Sequence, residues 1–130
     1  MNQRMLLVCS LLGAAYLSAQ PAVDHHAHLL RSANAAPQGF ALNAKELIRQ
    51  MDEAGIQRGV VLSIAYQFGN PFRPTVANEY ERVKEENDWT AAQASLYPDR
   101  LVAFCGVNPL KDYALQRLTA ALRTSGCGEV

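Results

Sequence analysis

Pro21-Ala22-Val23-Asp24-His25-His26-Ala27-His28 is the stretch on which the reading of the chain turns. Its apolar lead-in running into a polar cluster predicts the end of a β-strand. Side chains on a strand alternate faces, so Asp24, His26 and His28 share one face while His25 and Ala27 take the other. Two imidazoles on one face, two residues apart, can converge on a single metal ion. On a helix the same pair would lie about 200° apart around the axis and could not converge. The spacing therefore predicts His26 and His28 as metal ligands, with Asp24 beside them to orient an imidazole or a neighbouring group. His25 is expected to point away, between strand and helix.

Downstream, helix and strand signals alternate. Asn43, with Glu46 three residues on, forms an N-cap and capping-box pair. Leu47, Ile48, Met51 and Ala54 then recur with helical spacing, and Gly55 supplies the stop. Residues 59–64 form an unalternating, β-branched apolar run, which predicts a strand covered on both faces. A helix leading into such a strand predicts a right-handed crossover in a parallel sheet.

Residues 77–96 predict a long helix with Tyr80, Val83, Asn87, Ala91 and Ala94 on one stripe, and Glu79, Glu81, Arg82, Lys84, Glu85 and Glu86 mostly solvated. Pro98 ends it. Residues 101–107 predict a third buried strand. Residues 111–124 predict a helix that turns Leu115, Leu118 and Leu122 inward and stops at Gly126. Gly128, Glu129 and Val130 read as the start of a fourth strand.

The loops after these strands would lie over any site at their C-terminal ends. Arg31 in the loop 29–42 could meet an anionic group there. Tyr66, Phe68, Phe72 and Arg73 in the loop 65–75 could form an aromatic, cationic wall. Asn108 could reach the site or serve as a turn residue before Pro109. Arg31, Tyr66 and Asn108 are the candidate substrate-lining residues.

The Asp24-x-His26-x-His28 motif resembles the start of the amidohydrolase superfamily, and more narrowly its amidohydrolase-related branch, which also holds aromatic-acid decarboxylases. The segment from Lys45 through Gly55-Ile56 to Val60-Val61-Leu62-Ser63 is similar to that branch's first helix and second strand. Tyr97-Pro98-Asp99-Arg100-Leu101, closing with Val107-Asn108-Pro109, is similar to its third strand with the lead-in. The resemblance spans about residues 22 to 130. It implies a TIM barrel, whose active sites lie at the C-terminal ends of the strands. It also implies a divalent metal, zinc first, bound by His26 and His28 and by residues on later strands. The general base would come from those later strands too, so no catalytic base is assigned in this chain. A catalytic zinc usually takes three protein ligands and a water whose pKa falls to about 7.

The resemblance leaves hydrolysis and aromatic-acid decarboxylation both open. Two other classes stay open as well. The polymerase-and-histidinol-phosphatase family also begins with His-x-His on a strand and hydrolyses phosphoesters. A small exported protein could use His25, His26 and His28 to bind copper or zinc without catalysis.

The chain has 130 residues, with 12 Lys and Arg against 12 Asp and Glu. That balance gives no electrostatic case for nucleic acid or an anionic membrane. An eight-stranded α/β barrel needs about 250 residues, so residues 20–130 are expected to form a partial barrel of three βα units ending before the fourth strand. Alone, it is expected neither to turn over substrate nor to fold as a stable monomer, because three parallel strands leave two open edges and an uncovered inner face. A homo-oligomer stays open.

Residues 1–19 predict a signal peptide. Arg4 and the amino terminus give the positive region, and an apolar core too short to span a bilayer precedes the small-residue site Ser18-Ala19. The mature protein is then expected outside the cytoplasm, with no membrane span and a small molecule as substrate. Of the three cysteines, Cys9 leaves with the signal, Cys105 is a small core residue, and a Cys105–Cys127 disulfide is open.

Overall fold

The structure is a computed structural model describing residues 22–32 and 40–124, with side chains described to residue 120. The expected signal peptide, the side chain of Leu122, Cys127 and the expected fourth strand lie outside the described residues. Within them the chain is α/β, with a parallel three-stranded sheet in the order β1-β2-β3. The strands are β1 (Val23–Ala27), β2 (Arg58–Leu62) and β3 (Leu101–Phe104). Helices α1 (Ala44–Ala54), α2 (Glu79–Ser95) and α3 (Ala114–Thr124) follow them in turn. Among the described residues no helix is long and apolar enough to cross a membrane.

Helix α1 forms where its caps direct. The Asn43 side chain accepts from the Glu46 N–H at 3.0 Å, and Gly55 closes the helix in the left-handed conformation at φ 71°. Leu47 and Met51 turn inward onto Ala27, Leu29, Val61, Leu101 and Ala103, and this cluster is the core. Gly59 lets the sheet and helix approach: a Cβ there would meet Leu101 and Met51 at 3.4 Å.

Only this helix-facing side of the sheet is well covered. Gly59 and Val61 are buried, whereas Val60 and Leu62, which alternate with them, are half-buried. Val102, on the same face as Val60 in register, is 40% exposed. The expectation that β2 is covered on both faces is thus corrected: within the described residues helices pack on one side, and the alternation reflects it.

Two further expectations are corrected. Leu115 and Leu118 do not point inward; they are 80% and 36% exposed. Helix α3 instead buries Ala114 and Arg117, because Arg117 Nη2 donates to Asp88 Oδ1 of α2 at 2.6 Å and that contact fixes the helix's rotation. Glu86 is not solvated but 1% exposed, with Arg31 Nη1 lying 3.9 Å from its carboxylate. In α3 the charged contact rather than the apolar stripe sets which side faces in, whereas α1 buries Leu47 and Met51 and α2 buries Val83, Asn87, Ala91 and Ala94 as their stripes direct.

A polar clasp joins the two loops after β2 and β3. Glu79 accepts from Lys111 Nζ at 2.9 Å and from the Tyr113 hydroxyl. Buried Gly69 packs against both, and a Cβ on it would meet Glu79 Oε1 at 2.9 Å. Burial pushes the Glu79 carboxyl up, but hydrogen bonds from Lys111 and Tyr113 outweigh it and hold it below the ordinary carboxylate range. Burial and Glu79 both push the Tyr113 hydroxyl up, so it stays protonated as donor.

A depressed folded pKa stabilises the folded state above the unfolded value and ceases to do so as pH falls through the folded one. Glu79→Gln is therefore expected to cost about 1–2 kcal/mol at neutral pH and to flatten the loss of stability below about pH 4. Denaturant midpoints across pH check this. Parallel acid profiles for parent and variant would sink it.

Candidate metal centre

The histidine pair sits where β1 departs from regular pairing. Asp24 pairs with Gly59 and Ala27 with Val61, so β1 spends three steps against two on β2. That extra residue is a bulge, a device that re-aims side chains near functional sites. Past it, Ala27 and Leu29 enter the core, while His26 and His28 share the opposite, less covered face. His25 is exposed at the bulge.

The two rings meet edge to face, with centroids 4.9 Å apart. Their Nε2 atoms lie 3.1 Å apart, and His28 Nδ1 lies 2.7 Å from the Leu62 carbonyl oxygen. The carbonyl can only accept, so Nδ1 of His28 carries a proton and donates it. In the neutral tautomer that leaves the His28 Nε2 lone pair free, to accept from His26 when that ring carries its proton on Nε2 or to bind an ion.

The separation suits a shared ion. With Zn–N bonds of about 2.0–2.1 Å, 3.1 Å corresponds to an N–Zn–N angle of about 95–102°, and a tetrahedral angle needs only about 0.2–0.3 Å more. The donor set, two neutral imidazoles, suits zinc, copper or nickel ahead of magnesium or calcium.

Asp24 serves the pair through the backbone: its Oδ1 accepts from the His26 N–H at 2.9 Å. That bond fixes the main chain at the bulge, and the Leu62 carbonyl is what orients an imidazole. Sequence reasoning missed Leu62 because every residue has a carbonyl. The available signal was its place at the C-terminal end of the neighbouring strand, where a parallel sheet frees carbonyls. Among the described residues no group of three or more His, Cys, Asp or Glu side chains gathers to hold an ion.

The expected substrate-lining residues occupy the C-terminal ends of the same strands without contacting the pair among the described residues. Arg31 lies 5.7 Å over the Trp89 ring and lines a surface groove with Trp89 and Gln93. Tyr66 is 43% exposed in a 3-10 turn, Ala65–Gln67, directly after β2. Asn108 takes the turn role: Oδ1 accepts from the Leu110 N–H at 3.0 Å and Nδ2 donates to the Gly69 carbonyl at 2.7 Å. Phe72 is 95% exposed, at a turn where Asn70 Oδ1 accepts its N–H.

Asn87 braces these loops. It is fully buried on α2, and its amide pairs with both polar atoms of the Gly106 backbone, at 2.9 and 3.0 Å. Gly106 in turn presses on the loop after β2, where a Cβ would meet the Ser63 carbonyl oxygen at 2.8 Å. Cys105, next to it, is disulfide-bonded. Neither protein-family models nor curated proteins give a match to this chain.

Proposed function

We propose that this chain carries the first-strand half of the metal site of a metal-dependent hydrolase of the amidohydrolase type, built on a TIM barrel. The carrying observation is the convergence of His26 and His28 Nε2 to 3.1 Å on the less covered sheet face. The half-covered face of Val60, Leu62, Val102 and Phe104 supports the barrel reading, since that side would be the barrel interior. The disulfide at Cys105 supports export, because such bonds persist in oxidising compartments. The mature chain would then begin near Gln20.

A zinc ion at this site would supply Lewis acidity and a bound water acidic enough to ionise near neutral pH. The chain's own residues bind and orient. His28 presents Nε2 because Leu62 holds its Nδ1 proton. His26 presents the other Nε2 lone pair in the tautomer that carries its proton on Nδ1, and its ring is exposed. Asp24 keeps the bulged backbone beneath both rings. The general base and remaining ligands would come from strands beyond residue 130.

Reading the genomic frame downstream of Val130, expressing the extended protein and assaying ester, amide and aromatic-acid substrates tests this. The extended protein is expected to cleave an ester or amide only after zinc is restored to the chelated form. Cleavage unaffected by chelation would overturn the metal role. Carbon dioxide release from an aromatic acid without ester or amide cleavage would replace hydrolysis with C–C bond breaking.

A further inference from the structure

We propose that Asn87 is a positioning residue for the metal site: from α2 it holds the end of β3 so that the Leu62 carbonyl stays aimed at His28 Nδ1. The inference rests on the reading of His26 and His28 as metal ligands and asks what keeps one of them in its binding tautomer. A neutral imidazole binds an ion through the nitrogen that bears no proton, and the partner of its other nitrogen decides which one that is. For His28 that partner is a main-chain carbonyl at 2.7 Å. Whatever fixes this carbonyl therefore fixes the ligand.

The carbonyl belongs to the planar Leu62–Ser63 peptide, whose C=O and N–H point in opposite directions. Its C=O turns toward β1 and His28, while the Ser63 N–H donates to the Phe104 carbonyl of β3 at 2.9 Å. Leu62 and Phe104 are the last pair in register between β2 and β3. Just past that pair, the Asn87 amide grips both the N–H and the carbonyl of Gly106, at 2.9 and 3.0 Å. Asn87 is fully buried, and Gly106 packs so closely on Ser63 that a Cβ would lie 2.8 Å from its carbonyl oxygen. The peptides on both sides of Ser63 thus bear on the end of β3. Without the amide that end is free to withdraw, the Leu62–Ser63 peptide can tilt, and His28 Nδ1 loses its acceptor. A proton on Nε2 then occupies the lone pair that the ion needs.

Nitrogen NMR of the full chain, labelled in its histidine rings and free of metal, reads the tautomer at about pH 8.5, above the ordinary histidine pKa of about 6.5. The chain has three histidines, so the rings can be assigned one by one. Zinc affinity is read by competition with a chromophoric chelator. The parent is expected to hold the His28 proton on Nδ1. Asn87→Ala is expected to shift part of it to Nε2 and to weaken zinc binding about 10-fold or more, as for other groups that support a ligand. Gly106→Ala reaches the same junction without altering Asn87 and should do the same, so the test stands if Asn87→Ala does not fold. Arg100→Ala controls for lost stability, since it breaks contacts to Asp52 and to the Ile56 and Gln57 carbonyls at the other end of β2. It should leave tautomer and affinity unchanged. A lowered unfolding midpoint in Asn87→Ala with His28 tautomer and affinity intact would overturn the proposal, as would an equal loss in Arg100→Ala. A parent that binds no zinc would overturn the ligand reading instead, and the tautomer shift alone would then decide the role of Asn87.

Discussion

Replacing His28 with alanine is expected to lower zinc affinity by more than about 100-fold, since changes to groups merely supporting a ligand already cost about 10–100-fold. His26→Ala should fall in the same range but short of His28→Ala. The difference is one of ordering. His28 is held ready by the Leu62 carbonyl at 2.7 Å, so its single remaining nitrogen in the His26 variant needs no rearrangement. In the His28 variant the survivor is an exposed ring free to rotate, and fixing it costs side-chain entropy. His25→Ala should leave affinity unchanged, because the His26–His28 contact is made without it. Competition against a chromophoric chelator measures all three. If His25→Ala proved the most damaging, the face assignment across the bulge would be off by one residue.

Why these expectations could be read from sequence at all depends on which interactions are local. The Asn43 cap, the Gly55 stop and the Leu47 and Met51 stripe are set within one helix, and α1 forms as they direct. The parallel sheet followed from helices placed between apolar strands, and it is present. The convergence of His26 and His28 was expected from strand alternation, and the two rings meet although the register shifts between Asp24 and Ala27.

What failed was long-range. Leu115 and Leu118 obey helical spacing, yet a buried Arg117 reaching Asp88 on another helix turns their stripe outward. Nothing within residues 111–124 distinguishes an apolar face that meets the core from one that does not. Glu86 looked solvated for the same reason: its neighbour Arg31 lies 55 positions earlier in the chain. Residues 101–107 read as one strand, but β3 stops at Phe104 because Gly106 is drawn to Asn87. Asn87 fitted an apolar stripe by position, which hid that its amide is the brace.

That brace is where the largest loss of stability is expected. Asn87→Ala removes a side chain that meets both the N–H and the carbonyl of Gly106, leaving two backbone groups without those partners. Each such group costs about 1–3 kcal/mol when buried; Gly106 is only part-buried and water recovers some of this, so the expected loss is about 2–4 kcal/mol. That is a large share of the roughly 5–15 kcal/mol by which domains are stable. Asn87→Asp should be no rescue, because it keeps an acceptor for the N–H but sets a carboxylate against the Gly106 carbonyl in a fully buried place. Gly106→Ala attacks the same junction from the other side. Its new Cβ would sit 2.8 Å from the Ser63 carbonyl oxygen, backbone against backbone, so the loops after β2 and β3 must move apart. Urea midpoints at fixed protein and zinc concentrations, which hold linked binding constant, are the measurement. All three variants should unfold earlier, and the fluorescence of Tyr66, whose backbone N–H lies next to Gly106, should change even before unfolding. An Asn87→Ala protein within about 0.5 kcal/mol of the parent, the range of ordinary surface changes, would mean that the junction is held by something other than this amide.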